Sequence, residues 1–206
     1  EDFLYTQEET AKVQNLDISV KAGSLQIHES DDNQIRMKVY SKRAEVEHKI
    51  ENDTLVIQDR TQDVWWRTFK LEIHLYLPRD MKFERVAIDV NAGETDMDEI
   101  CLNAKSMELN VDAGSISLES AAVQGELKAS VGAGEIEIED LYAENVNLEC
   151  GMGSIDIAGK IDGNIDADCG VGEIHLDLDD SEENFDYSIE CGMGEVEIGD
   201  ISYTSF

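Results

Sequence analysis

The chain has 206 residues, 41% of them apolar, which is enough for one sizeable core or two small ones. It carries 16 Lys and Arg against 47 Asp and Glu, a formal net charge of −31, and such a field argues against nucleic acid or anionic lipid as direct partners while favouring cations and cationic partners. No window approaches the roughly 18 to 20 consecutive apolar residues of a membrane span, so no direct membrane insertion by this segment is expected.

The chain begins at Glu1 rather than at a methionine, which leaves room for an anchor or signal upstream. Residues 1–88 contain the alternating runs "SLQIHES", "QIRMKVYSK", "AEVEHKIEN", "DTLVIQD" and "FKLEIHLYLPRD". Polar turns such as "ESDDN" and "END" join them, and the pattern predicts antiparallel hairpins. Between two of these runs lies "DVWWRTF", residues 63 to 69. Adjacent Trp65 and Trp66 cannot both point to one face of a regular strand, so one of them is expected to be exposed as a protein or sugar contact, or else the loop folds over the core as a lid.

From residue 89 a motif recurs. Aligned on one glycine, "VNAGETDM" at Gly93 is followed by "VDAGSISL" at Gly114 and "VGAGEIEI" at Gly134. Three cysteine-bearing versions follow at Gly153, Gly172 and Gly194, and an isolated copy over residues 18–27 contains "VKAGSLQI". Steps of 19 to 22 residues are too short for a strand–helix–strand crossover but suit one coil of a parallel β-solenoid. The expected fold is therefore all-β: a single domain over 1–206, with solenoid repeats over 89–200 and the hairpin-rich part, 1–88, packed on or capping them. Apolar residues alternate within each copy, and Ala113, Met152 and Val171 are expected to point inward if the backbone bends at the glycine. Glycine suits that corner because it tolerates positive φ and adds no side chain.

Cys150, Cys169 and Cys191 occupy the column held by Val90, Val111 and Val131, so they read as small buried apolar residues, with Cys101 a separate structural cysteine. A disulfide between adjacent coils or a metal are the lesser alternatives. The outward positions form two rows. One runs Glu94, Ser115, Glu135, Ser154, Glu173, Glu195, and the other Asp96, Ser117, Glu137, Asp156, His175, Glu197. Stacked carboxylates repel one another, and the binding candidates they offer are Glu135, Glu137, Glu173, Glu195 and Glu197. No cofactor is expected. The ion such rows could take is Ca²⁺, although the G-G-x-G-x-D calcium repeat is not matched. A second outward line, Gly132, Gly151, Gly170 and Gly192, leaves bare backbone, read either as steric relief near the corner or as a flat track for a polymer.

The stretch "HLYLPRDMKFERVAIDVNAGE" followed by V-x-A-G-x-I-x-L copies resembles the bacterial putative-adhesin domain family, a domain of unknown function with a β-helix-like fold, over roughly residues 15 to 200. That resemblance implies a surface or envelope location and carries over no catalytic residue. No G-x-S-x-G, H-E-x-x-H, phosphate loop or dinucleotide fingerprint is present. The expectation is a non-enzymatic, extracellular or envelope binding or scaffold module, anchored by a segment absent from this chain, with a cell-surface glycan or a cationic protein as partner. The alternatives are a carbohydrate-active enzyme on the same fold and the ligand-sensing domain of an envelope-stress protein.

Overall fold

The computed structural model describes residues 1–30, 32–41, 45–61, 71–179, 186–199 and 201–204. The N-terminal part consists of β1 (Asp2–Leu4), a one-turn helix α1 (Gln7–Thr10), β2 (Asn15–Val20), β3 (Ser24–Ser30), β4 (Arg36–Tyr40), β5 (Val46–Glu51), β6 (Thr54–Asp59), β7 (Glu72–Pro78) and β8 (Lys82–Val90). The repeats form β9 (Glu94–Val111), β10 (Ser115–Val131), β11 (Glu135–Cys150), β12 (Ser154–Ile161), β13 (Asn164–Cys169), β14 (Glu173–Leu178), β15 (Asp186–Cys191), β16 (Glu195–Ile198) and β17 (Ile201–Thr204). The fold is a β-solenoid.

Each coil has three sides, and the pairing of β9 with β10 shows how one strand turns two corners without breaking. Ser115–Leu118 lies parallel to Glu94–Met97, then Ser120–Val123 to Cys101–Ala104, then Leu127–Val131 to Met107–Val111, with a register shift at each corner. The first side continues through β11, β12, β14 and β16, and the third through β11, β13 and β15, all parallel. Apolar side chains on the inner surface stack in columns such as Ile18, Ile88, Leu109, Ala129, Leu148 and Ala167, all buried. Rungs about 4.8 Å apart pack these columns without gaps along the axis.

The "VKAGSLQI" copy is a true rung. β2 pairs in parallel with β8, and β3 with β9, so the solenoid begins at β2 rather than at residue 89. Below that rung β6 and β7 are also parallel to β2 and β3. The antiparallel strands sit at the ends: β4 on β7, β1 on β4 and β5 on β6 at one end, and β17 on β16 at the other. They cover sheet edges that would otherwise template pairing with another chain.

The "END" turn makes a tight hairpin between β5 and β6, with Asn52 and Asp53 at φ 50 and 59, as a two-residue turn of the I′ kind requires. The "ESDDN" segment does not make one. β3 and β4 do not pair with each other, because β3 is taken into parallel ladders on both edges and β4 crosses over to β7. Alternation looks the same for parallel and antiparallel strands, so the run itself could not distinguish them.

The corner glycine is required by close approach rather than by its dihedrals. Of the seven aligned glycines only Gly23 has positive φ, at 150. A Cβ added at Gly93 would stand 2.5 Å from the carbonyl oxygen of Gly23. At Gly114, Gly134, Gly153, Gly172 and Gly194 it would stand closer still to the carbonyl of the glycine one rung before. Each such backbone contact admits no side chain, which is why the column is unbroken.

Candidate functional site

The two outward rows form as the alignment implies. Glu135 pairs with Ser115 and Ser154, and Glu173 with Ser154 and Glu195. In the second row Glu137 pairs with Asp156, and His175 with Asp156 and Glu197. Glu135, Glu137, Glu173 and Glu195 are exposed and Glu197 is half-buried. Like charges one rung apart repel by about 1 kcal/mol in water, less where side chains splay. Interruption softens the rows: serine alternates with glutamate at the lower rungs, the Ser202 hydroxyl donates to Glu195 at 2.6 Å, and His175 Nδ1 lies 3.2 Å from Glu197 Oε2. The five glutamates share a wall, not a cleft. Among the described residues no group of three or more His, Cys, Asp or Glu converges where one metal ion could sit.

Around the corner, on the third side, the surface is concave. A groove of about 410 Å³ runs over the bare backbone of Gly132, Gly151 and Gly170, with Asn110, Ser130, Glu149 and Asp168 along its wall. Those four residues are successive outward positions of one ladder, so the groove is periodic along the axis. A second hollow of about 210 Å³ adjoins it and adds Glu108, Lys128 and Asn147. Arg85 donates to Glu108 at 2.7 Å and this bond holds the Glu108 carboxyl below the usual range, while Asn110 Nδ2 donates to Asp89 at 2.7 Å. The wall is thus a polar ladder partly cross-linked along the axis.

Three residues expected inside are outside. Met152 is 71% exposed and Val171 54%, and Ala113 is exposed as well. At the G-x-G corner the residue between the glycines lies on the outside of the bend, so alternation loses its meaning for these positions. Met193 belongs to the same column and is 75% exposed. The amides of Met152, Val171 and Met193 donate to Gly132, Gly151 and Gly170, which places the three side chains directly above one another.

Cys150 and Cys169 are core, and Cys191, at the last rung of the column, is half-buried against it. Cys150 pairs in register with Val131 below and Cys169 above, and Cys169 with Cys191. All four cysteines are free thiols. Each stacked thiol donates to the carbonyl three residues on, Cys169 to Gly172 at 3.0 Å. Burial pushes the Cys150 thiol up and that of Cys169 up to about 11, so both stay neutral at physiological pH.

One cluster was not anticipated. Where β3, β7 and β4 lie side by side, His28 stacks on His74 and Tyr76, Tyr40 meets His74 edge-on, and the Lys38 ammonium stands 5.3 Å from the centre of the Tyr76 ring. His28 Nε2 lies 3.2 Å from His74 Nδ1, and His74 Nε2 lies 2.8 Å from Glu72 Oε1. Tyr40 is half exposed, leaving an aromatic platform with polar neighbours. Its residues are the outward members of three runs, visible as a cluster only once β3 is known to pair with β7 forty-odd residues away. Trp65 and Trp66 lie outside the described residues. No helix among the described residues is long and apolar enough to cross a membrane.

Comparison with known proteins gives three results. Residues 13–203 match the family model described as Toastrack DUF4097. A solved putative adhesin from Bacteroides fragilis aligns over 98% of this chain and 96% of its own, with a TM-score of 0.56 at 18% identity, a likeness of fold. A putative cell adhesion protein from Clostridium sporogenes aligns over 97% and 98% with a TM-score of 0.43 at 15% identity. A putative lipid binding protein from Parabacteroides distasonis aligns over 96% and 95% with a TM-score of 0.49 at 14% identity. No curated protein matches.

Proposed function

Since the chain belongs to the Toastrack DUF4097 family, we propose that it is a non-enzymatic, adhesin-like binding module of the bacterial cell surface or envelope, held there by a segment outside this chain. The observation that carries this reading is the periodic groove: a rigid polar wall, Asn110, Ser130, Glu149 and Asp168, beside bare glycine backbone that lets an extended polymer lie close. Such a track fits a glycan, whose hydrogen-bonding groups recur along its length. The names of the similar structures, adhesins among them, agree with this class.

Catalysis by paired carboxylates needs one acid with a raised pKa facing a base across a cleft. Among the described residues the carboxyl groups that shift go the other way. Glu9, Glu47, Glu108 and Asp162 are all lowered, by hydrogen bonds from Thr6, Arg60, Arg85 and Tyr142 respectively. Each is already engaged by a donor of the protein itself, and only Glu108 adjoins the groove.

The test is binding of the intact domain to envelope fractions and to a glycan array. Glu149→Gln combined with Asp168→Asn is expected to weaken capture at least fivefold, with Trp65→Ala and Trp66→Ala probing the second contact we assign. Capture that survives EDTA is the expected result, whereas calcium-dependent capture lost in Glu135→Gln with Glu137→Gln would make the outward rows an ion site. Absence of any capture, or release of reducing ends or unsaturated products from a polysaccharide panel, would overturn the reading, the latter in favour of an enzyme.

A further inference from the structure

The groove leaves unexplained why large apolar side chains stand in water at the next position along the chain. Met152, Val171 and Met193 form a rail at the corner between the first and third sides, continued downward by the exposed alanines Ala133 and Ala113. Lone exposed apolar residues need no explanation, but three in register make a continuous apolar edge. Structural need does not account for them, since alanine fills the same position in the lower rungs with the corner glycine intact.

The rail has acidic borders on both sides. Glu149, Asp168 and Glu190 stand just before the corner, and Glu173 and Glu195 just after it, all exposed. No Lys or Arg occurs after Lys160, so no cation from the upper rungs competes for these carboxylates. The spacing selects the shape of a partner lying along the axis. Rungs rise about 4.8 Å. One turn of α-helix rises about 5.4 Å, so its i, i+3/i+4 and i+7 side chains drift from three rungs by only about 0.9 Å. An extended strand presents same-face residues every 6.6 to 6.8 Å and falls out of step at once.

We propose that this corner docks a cationic amphipathic helix, its apolar stripe on Met152, Val171 and Met193 and its flanking Lys or Arg side chains on the two carboxylate borders. Methionine suits the task, because its flexible, polarizable side chain adapts to differently shaped apolar stripes. The partner is thus a protein or peptide, at an edge that shares only the Glu149 and Asp168 carboxylates with the groove wall, and the inference goes beyond the envelope-binding reading and stands if that reading fails.

The test uses the intact domain and a fluorescein-labelled 18-residue Leu/Lys peptide with a continuous leucine stripe, beside an isomer of identical composition whose leucines are scattered. Anisotropy titration is expected to give at least tenfold tighter binding for the striped peptide, and circular dichroism should show helix appearing on binding. Met152→Gln with Met193→Gln should weaken it at least tenfold without changing the melting temperature, since both side chains are already in water. Glu173→Gln with Glu195→Gln should weaken it less and flatten its salt dependence. Equal affinity for the two isomers, or an unaltered affinity in the methionine double variant, would overturn the proposal by reducing the effect to bulk charge. Asn110→Ala with Ser130→Ala, at groove residues that do not border the rail, should leave peptide binding intact, and a loss of peptide binding in that variant would overturn the placement of the helix at this corner.

Discussion

Residues 1–88 and residues 89–206 build rungs of one solenoid with very different charge. The first part has 17 Asp and Glu against 13 Lys and Arg, a formal −4, and the second 30 against 3, a formal −27. In the first part charges are spent on one another: Arg36 with Asp32, Lys49 with Glu47 and Glu51, Arg60 with Glu47, Arg79 with Glu29. These exposed pairs each contribute little to stability, but they leave few unmatched charges. In the second part the carboxylates stand in register with one another and face solvent. The difference teaches that the backbone, through its glycine column, sets the geometry of the repeats, so their outer surface is free to carry a pattern chosen for something other than folding.

The sharpest way to break this contrast is at the corner. Gly153→Ala would drive a Cβ into the Gly134 carbonyl and to 2.5 Å from Val131 Cγ1, and a loss of about 3 kcal/mol or more in urea unfolding is expected. Gly170→Ala, whose Cβ would come no closer than 3.0 Å to any neighbour, the Gly151 oxygen being nearest, should cost less than about 1 kcal/mol. Equal losses at the two positions would mean that the second glycine line is as structural as the first.

Charge is the next lever. Glu137→Gln with Glu173→Gln should raise Tm by about 2–4 °C at low salt, with the gain vanishing near 0.5 M salt, because each removes a carboxylate facing another one rung away, Asp156 and Glu195 respectively. Glu47→Gln in the N-terminal part should instead lower Tm, since Glu47 accepts from Arg60 and faces Lys49. A rise in both would contradict the division.

A comparable gain is expected at Thr95. It occupies an otherwise apolar inner column beside Leu25 and Ile116, is buried, and its hydroxyl has no partner. Thr95→Val keeps the shape and removes the unsatisfied group, so it should stabilise by about 1 kcal/mol in thermal or urea unfolding.

The smallest effect is alkaline. The Cys169 thiol sits at about 11 in the fold against 9.0 for an ordinary thiol, so the folded state holds its proton longer than the unfolded chain. That stabilisation is complete below about pH 9 and is lost as pH rises through about 11. Tm measured across this window should fall, and Cys169→Val should remove part of the fall. In the N-terminal part the same sign applies to Tyr5, pushed up to about 12 by burial and then by Glu9, so its loss comes one window later, between about 10 and 12.

Most of the repeat architecture was legible because one alignment column has a hard physical cause. Wherever a Cβ would strike the carbonyl of the rung below, glycine recurs, and every other column follows from it, including the reading of Cys150 and Cys169 as core, with Cys191 half-buried where the column ends. Two things were not legible. Met152 and Val171 sit where the bend interrupts alternation, so period-two counting assigned them to the wrong side. The cluster of His28, His74, Tyr76 and Tyr40 depends on which distant strand lies beside β3, and a run of alternating residues fits parallel and antiparallel neighbours equally well. The groove was legible only as a line of glycines, since its wall comes from a ladder that the same line does not contain.

The glycine contact has a consequence for size. Because each coil meets the next through backbone and the same inner columns, a whole period of about 19 to 22 residues can be duplicated or excised without redesigning a single interface. Every duplication lengthens the rod by about 4.8 Å and copies one more tooth onto the rail, the rows and the groove wall together. Reach and valency are therefore coupled in this architecture, and selection can tune both by counting repeats.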